Sequence, residues 1–306
     1  MTYDTTPGGS RDTGRIGGLT VRRIGLGTMR LPQHGPAFDP ASPPRDRAAA
    51  IRLLRTAVDL GVDHLDTAAF YFSALRSANE LINSALNPYP EHLVIATKVG
   101  PSRSPAGDFL PHARPEQLRG QVEQNLRQLG RDHLDLVYLR VLGSDSLAER
   151  FGALAELRQA GLIRELGVSN VLPEQLAEAR RIAPVAAVQN LFGLGAPAAQ
   201  RELLRRCGEL GIAFVPFYAL AGAARATGRT ARSDTAEPAG LLALARAHGV
   251  SPAQLRLAWT LHQGPQVLAI PGTGDPAHLA ENLAAGALRL TPAEVGALDA
   301  LAEAES

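Results

Sequence analysis

The chain has 306 residues, 45% hydrophobic and 20% charged, with 31 basic against 30 acidic groups and a formal net charge of +1. That balance fits a folded globule, is too apolar for a disordered chain, and offers no electrostatic reason for a nucleic-acid or membrane-surface partner. No run of about 18 apolar residues occurs and the first 30 residues are polar and Gly-rich, so neither a membrane span nor a secretory leader is expected. The single cysteine, Cys207, excludes an internal disulfide and a cysteine-based metal cluster, and a cytoplasmic location is the expectation.

Residues 1–20 are rich in Gly, Thr and Ser and are expected to be disordered, with 21–306 forming one domain. From residue 22 onward, short apolar or β-branched runs alternate with amphipathic helical stretches. The predicted strands are 23–29, 64–68, 93–99, 134–140, 165–169, 186–192, 213–220 and 267–270. Helical patterns lie near 48–60, 76–86, 115–129, 147–161, 173–182, 199–210, 239–262 and 276–285, and a last helix fits 292–303. Val250-Ser251-Pro252 splits the 239–262 interval, with Ser251 as N-cap and Pro252 at the first helical position. Strand–helix units in such a series mean a parallel sheet with crossover helices, and an α/β (β/α)8 barrel uses all of them where a doubly wound sheet would leave units over. Gly17-Gly18-Leu19-Thr20 reads as a hairpin turn across the barrel's bottom, and residues 222–238 as a long polar loop suited to a lid.

In such a barrel the chemistry sits at the C-terminal ends of the strands. Of the basic residues, all are arginine except Lys98, which stands inside an apolar strand run. Arginine replaces lysine cheaply on a surface, but not where a compact group with a movable pKa is needed. Asp66, at the end of the preceding strand, is the expected partner of that ammonium, because an unpaired buried cation is costly. Tyr71 follows in the next loop, where a nearby cation is expected to lower its pKa from about 10 and make it a general acid for a carbonyl oxygen. The bland alternative is a structural ion pair with Tyr71 as packing. Gly25-Leu26-Gly27-Thr28-Met29-Arg30 lacks the third glycine of a dinucleotide fingerprint. Thr273-Gly274, just before the helix that opens near Pro276, is a weaker phosphate-site pattern, resting on free backbone N–H groups and the helix dipole.

These residues together resemble the aldo-keto reductase family over nearly the whole interval from Val21 to Leu301. Gly25-Leu26-Gly27-Thr28 is similar to the family's first strand, Asp66-Thr67-Ala68 with Tyr71 and Asn79-Glu80 to its catalytic signature, and Ala96-Thr97-Lys98 to its lysine strand. Leu166-Gly167-Val168-Ser169-Asn170 and Val188-Gln189-Asn190 resemble its nicotinamide-carboxamide sites. Ile270-Pro271-Gly272-Thr273 with His278, Glu281 and Asn282 resembles its adenosine-phosphate segment. The resemblance implies Asp66, Tyr71 and Lys98 as catalytic residues, and a nicotinamide in extended form over the barrel mouth. Its contacts would come from Gly27, Thr28, Met29, Asp66, Ser169, Asn170, Gln189, Phe217, Tyr218, Ala219, Leu220, Gly272, Thr273, Gly274, His278, Glu281 and Asn282. Phe217 would stack on the nicotinamide ring.

Two departures matter. Arg140 stands at the end of the fourth strand where the family usually has His, so it is read as a fixed donor to a substrate oxygen, joining the catalytic group. This variant looks like the family's pyridoxal-reductase-like branch. Gly272 and His278 stand where NADPH-selective members carry Lys and Arg, so NADPH is favoured with NADH as an alternative. Phe72, where the family usually has Gly, implies a tighter, more apolar pocket, with Tyr71, Phe72 and Arg140 facing the substrate. His64, His92, His133 and His248 fall near helix or strand boundaries with no metal-ligand spacing, so no metal is expected. The reading is carbonyl reduction of a small aldehyde or ketone; reduction of an imine or enone, and a nicotinamide-binding sensor or assembly subunit, are the alternatives. Specificity is expected in residues 101–114, 222–238 and the C-terminus.

Overall fold

A computed structural model of the chain describes residues 13–304 other than 36, 40, 105 and 221–236. The β-branched and apolar runs form strands β3 (Leu26–Gly27), β4 (His64–Asp66), β5 (Val94–Val99), β6 (Leu134–Arg140), β7 (Ile163–Ser169), β8 (Ala187–Gln189) and β9 (Ala213–Phe214), each hydrogen-bonded to the next in sequence order. All are parallel. Residues 267–272 close the ring through single parallel bridges, Val267 to Phe214, Ala269 to Ile24 and Gly272 to Gly27. The sheet is therefore curled into the expected (β/α)8-type barrel.

Several strands are shorter than their apolar runs. Pro216 and Pro271 have no N–H to give a ladder, and Gly25 and Gly27 carry no side chain to pack, so regular pairing thins on both sides of the closure. Glycine is needed at position 27: a Cβ there would lie 2.6 Å from the Ile270 carbonyl oxygen. The strand predicted over 213–220 thus reduces to β9 plus a bridge between Leu191 and Phe217.

Outside the ring run α1 (Arg47–Asp59), α2 (Ala78–Leu86), α3 (Pro115–Leu129), α4 (Ala148–Gln159), α5 (Pro173–Ile182) and α6 (Ala198–Glu209). Next come α7 (Ala239–His248), α8 (Pro252–His262), α9 (Pro276–Ala284) and α10 (Pro292–Ala304). The split between α7 and α8 falls at the predicted cap, where Ser251 Oγ accepts from Gln254 N at 3.2 Å and Gln254 Oε1 accepts from Ser251 N at 3.0 Å. Such a reciprocal cap satisfies two of the N–H groups that a helix start leaves without partners.

Alternation along the strands divides the apolar residues into two cores. Leu65, Ile95, Val137, Leu139, Leu166, Val168 and Val188 face outward into the layer shared with the helices. Val94, Ala96, Leu136, Tyr138, Ala187, Val215 and Leu268 fill the barrel interior. Each fully buried aliphatic side chain contributes about 1.5–3 kcal/mol.

The bottom of the interior is plugged by an antiparallel hairpin, β1 (Thr13–Ile16) with β2 (Leu19–Arg22), whose Ile16 and Val21 belong to the inner cluster. Residues 13–20, read from composition as disordered, are ordered here because alternation of Ile16 and Val21 with polar neighbours gives the hairpin one buried face. Residues 1–12 and most of the proposed lid at 222–238 lie outside the described residues.

Candidate active site

Parallel strands in register bring their C-terminal ends to one height. Asp66 pairs with Ala96, Lys98 with Tyr138, and Arg140 with Ser169, so the inward side chains of β4 to β7 surround one mouth. Lys98 Nζ donates to Asp66 Oδ1 at 2.6 Å and to the Thr67 carbonyl at 3.1 Å, while Gln189 Nε2 donates to Asp66 Oδ2 at 2.7 Å. Both members of the ion pair are under 5% exposed. Such a pair is costly to break, by about 3–5 kcal/mol, because the survivor is left charged in a dry interior.

The strand ends carrying this pair are locked from behind. Thr28 donates through both N and Oγ1 to the Asp66 carbonyl, each at 2.9 Å. Thr67 Oγ1 donates to Asn79 Oδ1 at 2.8 Å, Asn79 Nδ2 to Asn125 Oδ1 at 2.9 Å, and Thr97 Oγ1 to Asn125 Oδ1 at 2.7 Å. This chain of side chains ties β4 and β5 to α2 and α3. Thr67 and Thr97 entered the sequence reading only as members of the motifs around Asp66 and Lys98, and Asn125 not at all, since only the fold shows that their spacing converges.

Tyr71 lies in the loop after β4 and is 7% exposed. The Lys98 ammonium is 4.9 Å from its ring centroid and acts on the phenol through its charge. The expected lowering of the phenol pKa is corrected here. Burial dominates and holds Tyr71 above the ordinary tyrosine value, while Lys98 and, less, Arg140 pull it down and Asp66 pushes it up. For Lys98 burial disfavours the charge, but Asp66 and Tyr71 outweigh it and the ammonium is held above its ordinary value. The site thus keeps a protonated phenol beside a permanent cation.

Arg140 is partly buried at the end of β6, with Nη1 donating to Ser169 Oγ at 3.2 Å and its guanidinium carbon 4.7 Å over the Phe217 ring. One face of Phe217 is therefore taken by this cation. Burial lowers the Arg140 pKa, opposed by Tyr71, Tyr218 and Asp66. The Arg140 carbonyl accepts from His112 Nε2 at 2.6 Å, and His112 Nδ1 meets the Arg150 guanidinium, so the imidazole is neutral with its proton on Nε2.

Around this centre Ser169 and Gln189 are buried and Asn170 is exposed, in left-handed backbone with φ 61°, its amide donating to the Val141 carbonyl at 3.0 Å. Gln189 Oε1 is buried and has no hydrogen-bond partner among the described residues. Tyr218 also has φ 61°; Ala219 is buried, Leu220 half-buried, and Met29 packs against the cluster of Ala68, Phe70, Tyr71 and Ala78.

The segment 272–275 lies against α9, with Thr273 and Asn282 buried and Gly272, His278 and Glu281 exposed. Its backbone is less free than the sequence implies. Asp275 Oδ1 accepts from Ala277 N at 2.8 Å, and Thr273 Oγ1 accepts from Asp275 N at 3.0 Å. The sequence reading missed Arg45, in the loop before α1: a Cβ on Gly274 would lie 2.3 Å from its guanidinium carbon. Burial and neighbouring Arg30 lower the Arg45 pKa, and Asp275 opposes them. A shallow depression of about 670 Å³ bounded by Tyr89, Arg131, His133 and Arg164 opens at the other end of the strands, away from this chemistry.

Residues 23–303 match the model of the aldo/keto reductase family. The chain is 40% identical over 299 residues to pyridoxine 4-dehydrogenase of Escherichia coli strain K12, covering 95% of this chain and 99% of that protein. Among solved structures, the thermostable aldo-keto reductase Tm1743 in complex with the inhibitor epalrestat superposes with a TM-score of 0.78 at 30% identity, covering 94% of this chain and 99% of that one. An aldo/keto reductase of Klebsiella pneumoniae in complex with NADP and acetate gives a TM-score of 0.76 at 28% identity, covering 95% of each chain. Match and geometry agree across almost the whole sequence: this chain belongs to the aldo/keto reductase family.

Proposed function

We propose that the protein reduces the carbonyl of a small molecule with NADPH, Tyr71 giving the proton to the oxygen. The observation that carries this reading is the convergence of Tyr71, Lys98 and Asp66, each under 8% exposed, at the barrel mouth. A proton donor must hold its proton until charge develops on the substrate, and burial does that for Tyr71. As the carbonyl oxygen becomes negative, the Tyr71 hydroxyl donates to it, and the phenolate left behind is stabilised by the Lys98 ammonium. Asp66 and Gln189 keep that ammonium in place. Arg140 directs a fixed donor into the same space and orients the substrate oxygen.

A nicotinamide dinucleotide fits the residues present. The unpaired, buried Gln189 Oε1 is an acceptor suited to a carboxamide N–H, with the Ser169 hydroxyl and Asn170 beside it. Phe217 offers its remaining ring face, the 218–220 segment would skirt the pyrophosphate, and Thr273, His278 and Arg45 border a place for phosphate. When bound, the nicotinamide supplies the hydride that reduces the carbonyl carbon. NADPH is the preferred form because NADP occupies the Klebsiella pneumoniae relative and because Arg45 adds a cation beside Gly274. The E. coli pyridoxine 4-dehydrogenase likeness supports a pyridoxal-like aldehyde as substrate.

The test is NADPH oxidation by the purified protein over a panel of aldehydes, imines and enones. Turnover is expected with aldehydes, Tyr71→Phe is expected to lose about 10²- to 10⁴-fold in kcat, and Lys98→Met to lose reduction while NADPH affinity stays within about tenfold. Tight NADPH binding without turnover of any carbonyl would instead make the protein a nicotinamide sensor, and full activity in Lys98→Met would remove the assigned role of the ammonium.

A further inference from the structure

We propose that Arg103 is a positioning residue for specificity: it holds an aromatic wall over Tyr71 that selects aldehydes carried on a planar ring. The inference rests on the carbonyl-reduction reading and assigns its substrate side. Arg103 lies in the loop after β5 and is 8% exposed; burial lowers its pKa, the nearby Asp108 carboxylate opposes this, and no carboxylate among the described residues lies within 4.0 Å of it. Its guanidinium is spent on backbone instead. Nε donates to the Gly107 carbonyl at 2.8 Å, Nη1 to Phe72 O at 2.7 Å and Phe70 O at 3.4 Å, and Nη2 to Phe38 O at 3.1 Å. Three separate loop segments, around Phe38, Phe70–Phe72 and Gly107, are thus pinned by one side chain. The same group lies 4.5 Å from the Phe72 ring centroid, 5.1 Å from Phe38 and 5.8 Å from Phe109. A planar fork serves this double task of donating in plane and stacking on its faces, and a lysine does not.

What Arg103 holds is a set of rings in contact with the proposed proton donor. Phe38 and Phe70 lie with ring centroids 5.9 and 5.1 Å from Tyr71, and Phe109 lies 5.3 Å from Phe38. Phe38 has φ 69°, a backbone region that a bulky residue enters only under constraint, and Arg103 Nη2 bonds its carbonyl. Phe109 is 55% exposed, and Leu110 and Leu142 are exposed on the same rim. Apolar area left open beside a buried donor favours an apolar, flat ligand whose carbonyl enters while its ring rests on the wall. Behind the wall, a cavity of about 50 Å³ is bounded by Phe70, Phe72, Lys98, Arg103 and Asn125. Without the guanidinium, the wall has room to fall into it.

The experiment compares wild type with Arg103→Ala and Arg103→Lys in NADPH-dependent reduction of 4-nitrobenzaldehyde and of propanal, with NADPH Kd read by fluorescence. Arg103→Ala is expected to raise KM for the aromatic aldehyde about tenfold, with kcat falling less than about threefold and the KM for propanal and the NADPH Kd within about twofold. Arg103→Lys is expected to fall between. Phe38→Ala, which removes a wall ring and leaves the guanidinium, is expected to lose the same aromatic preference, and it decides the matter if Arg103→Ala does not fold. An unchanged ratio of aromatic to aliphatic kcat/KM in folded Arg103→Ala, or in Phe38→Ala, would overturn the proposal. Equal losses on both aldehydes together with weakened NADPH would overturn it too, by making the residue merely structural. Failure of the carbonyl-reduction reading is seen separately, as wild type that turns over neither aldehyde.

Discussion

Lys98 is the only lysine among the basic residues, and its setting explains why arginine did not take its place. A guanidinium is larger, and its planar fork does not concentrate charge at one point between the Asp66 carboxylate and the Tyr71 phenol. Beneath this pair lies a second buried group, His64, whose two ring nitrogens have no partner among the described residues. Burial pushes its pKa down to about 4, with Lys98 adding to the effect and Asp66 opposing it. The unfolded chain takes up a proton on this imidazole near pH 6.5 and the folded one only near 4, so in that window the unfolded state binds more protons and stability falls as pH drops. The loss amounts to about 3 kcal/mol. Urea unfolding at pH 7.5 and 4.5 is expected to show His64→Leu losing less stability across the window than wild type; an equal loss would mean that His64 does not titrate differently on folding.

At the scale of elements, what could be read in advance was whatever a contiguous run encodes. Asp66-Thr67-Ala68, Ala96-Thr97-Lys98 and Ser169-Asn170 sit at strand ends because apolar runs and helix starts fix where each strand stops. Ser251-Pro252 marked a helix boundary for the same local reason. Arg45, Arg103 and Asn125 were not legible, since each acts through partners tens of residues away that only the closed barrel brings near. In residues 13–20 the turn at Gly17-Gly18 was legible, but the strand before it was not, because a Gly- and Thr-rich composition outweighed a four-residue alternation. That hairpin carries its own prediction. Ile16 is fully buried among the inner cluster, so Ile16→Ala is expected to cost about 2–5 kcal/mol by urea unfolding. It lies at the end opposite the site, so NADPH Kd is expected to stay unchanged; a tenfold weaker Kd would mean that the plug sets the mouth geometry.

For the molecule as a whole, ligand binding and folding are one equilibrium. A dinucleotide bound only by the folded chain stabilises it by about 2.7 kcal/mol at a hundredfold excess over Kd. Arg45 and the 272–275 segment lie at the thin closure between Gly27 and Gly272, so a phosphate held there joins the first and last parts of the ring. Thermal melts at equal concentrations are expected to show a larger Tm rise with NADPH than with NADH, and Arg45→Ala is expected to bring the two rises together. A difference that survives in Arg45→Ala would assign the 2′-phosphate to His278 or Thr273 instead.

The placement of Lys98 has one more consequence. With the sole side-chain primary amine sealed 4% exposed inside the barrel, acylating reagents have no lysine to decorate on the native exterior. Covalent capture of that nitrogen would therefore report a breach of the mouth itself, turning one residue into a built-in gauge of how often the site lets solvent in.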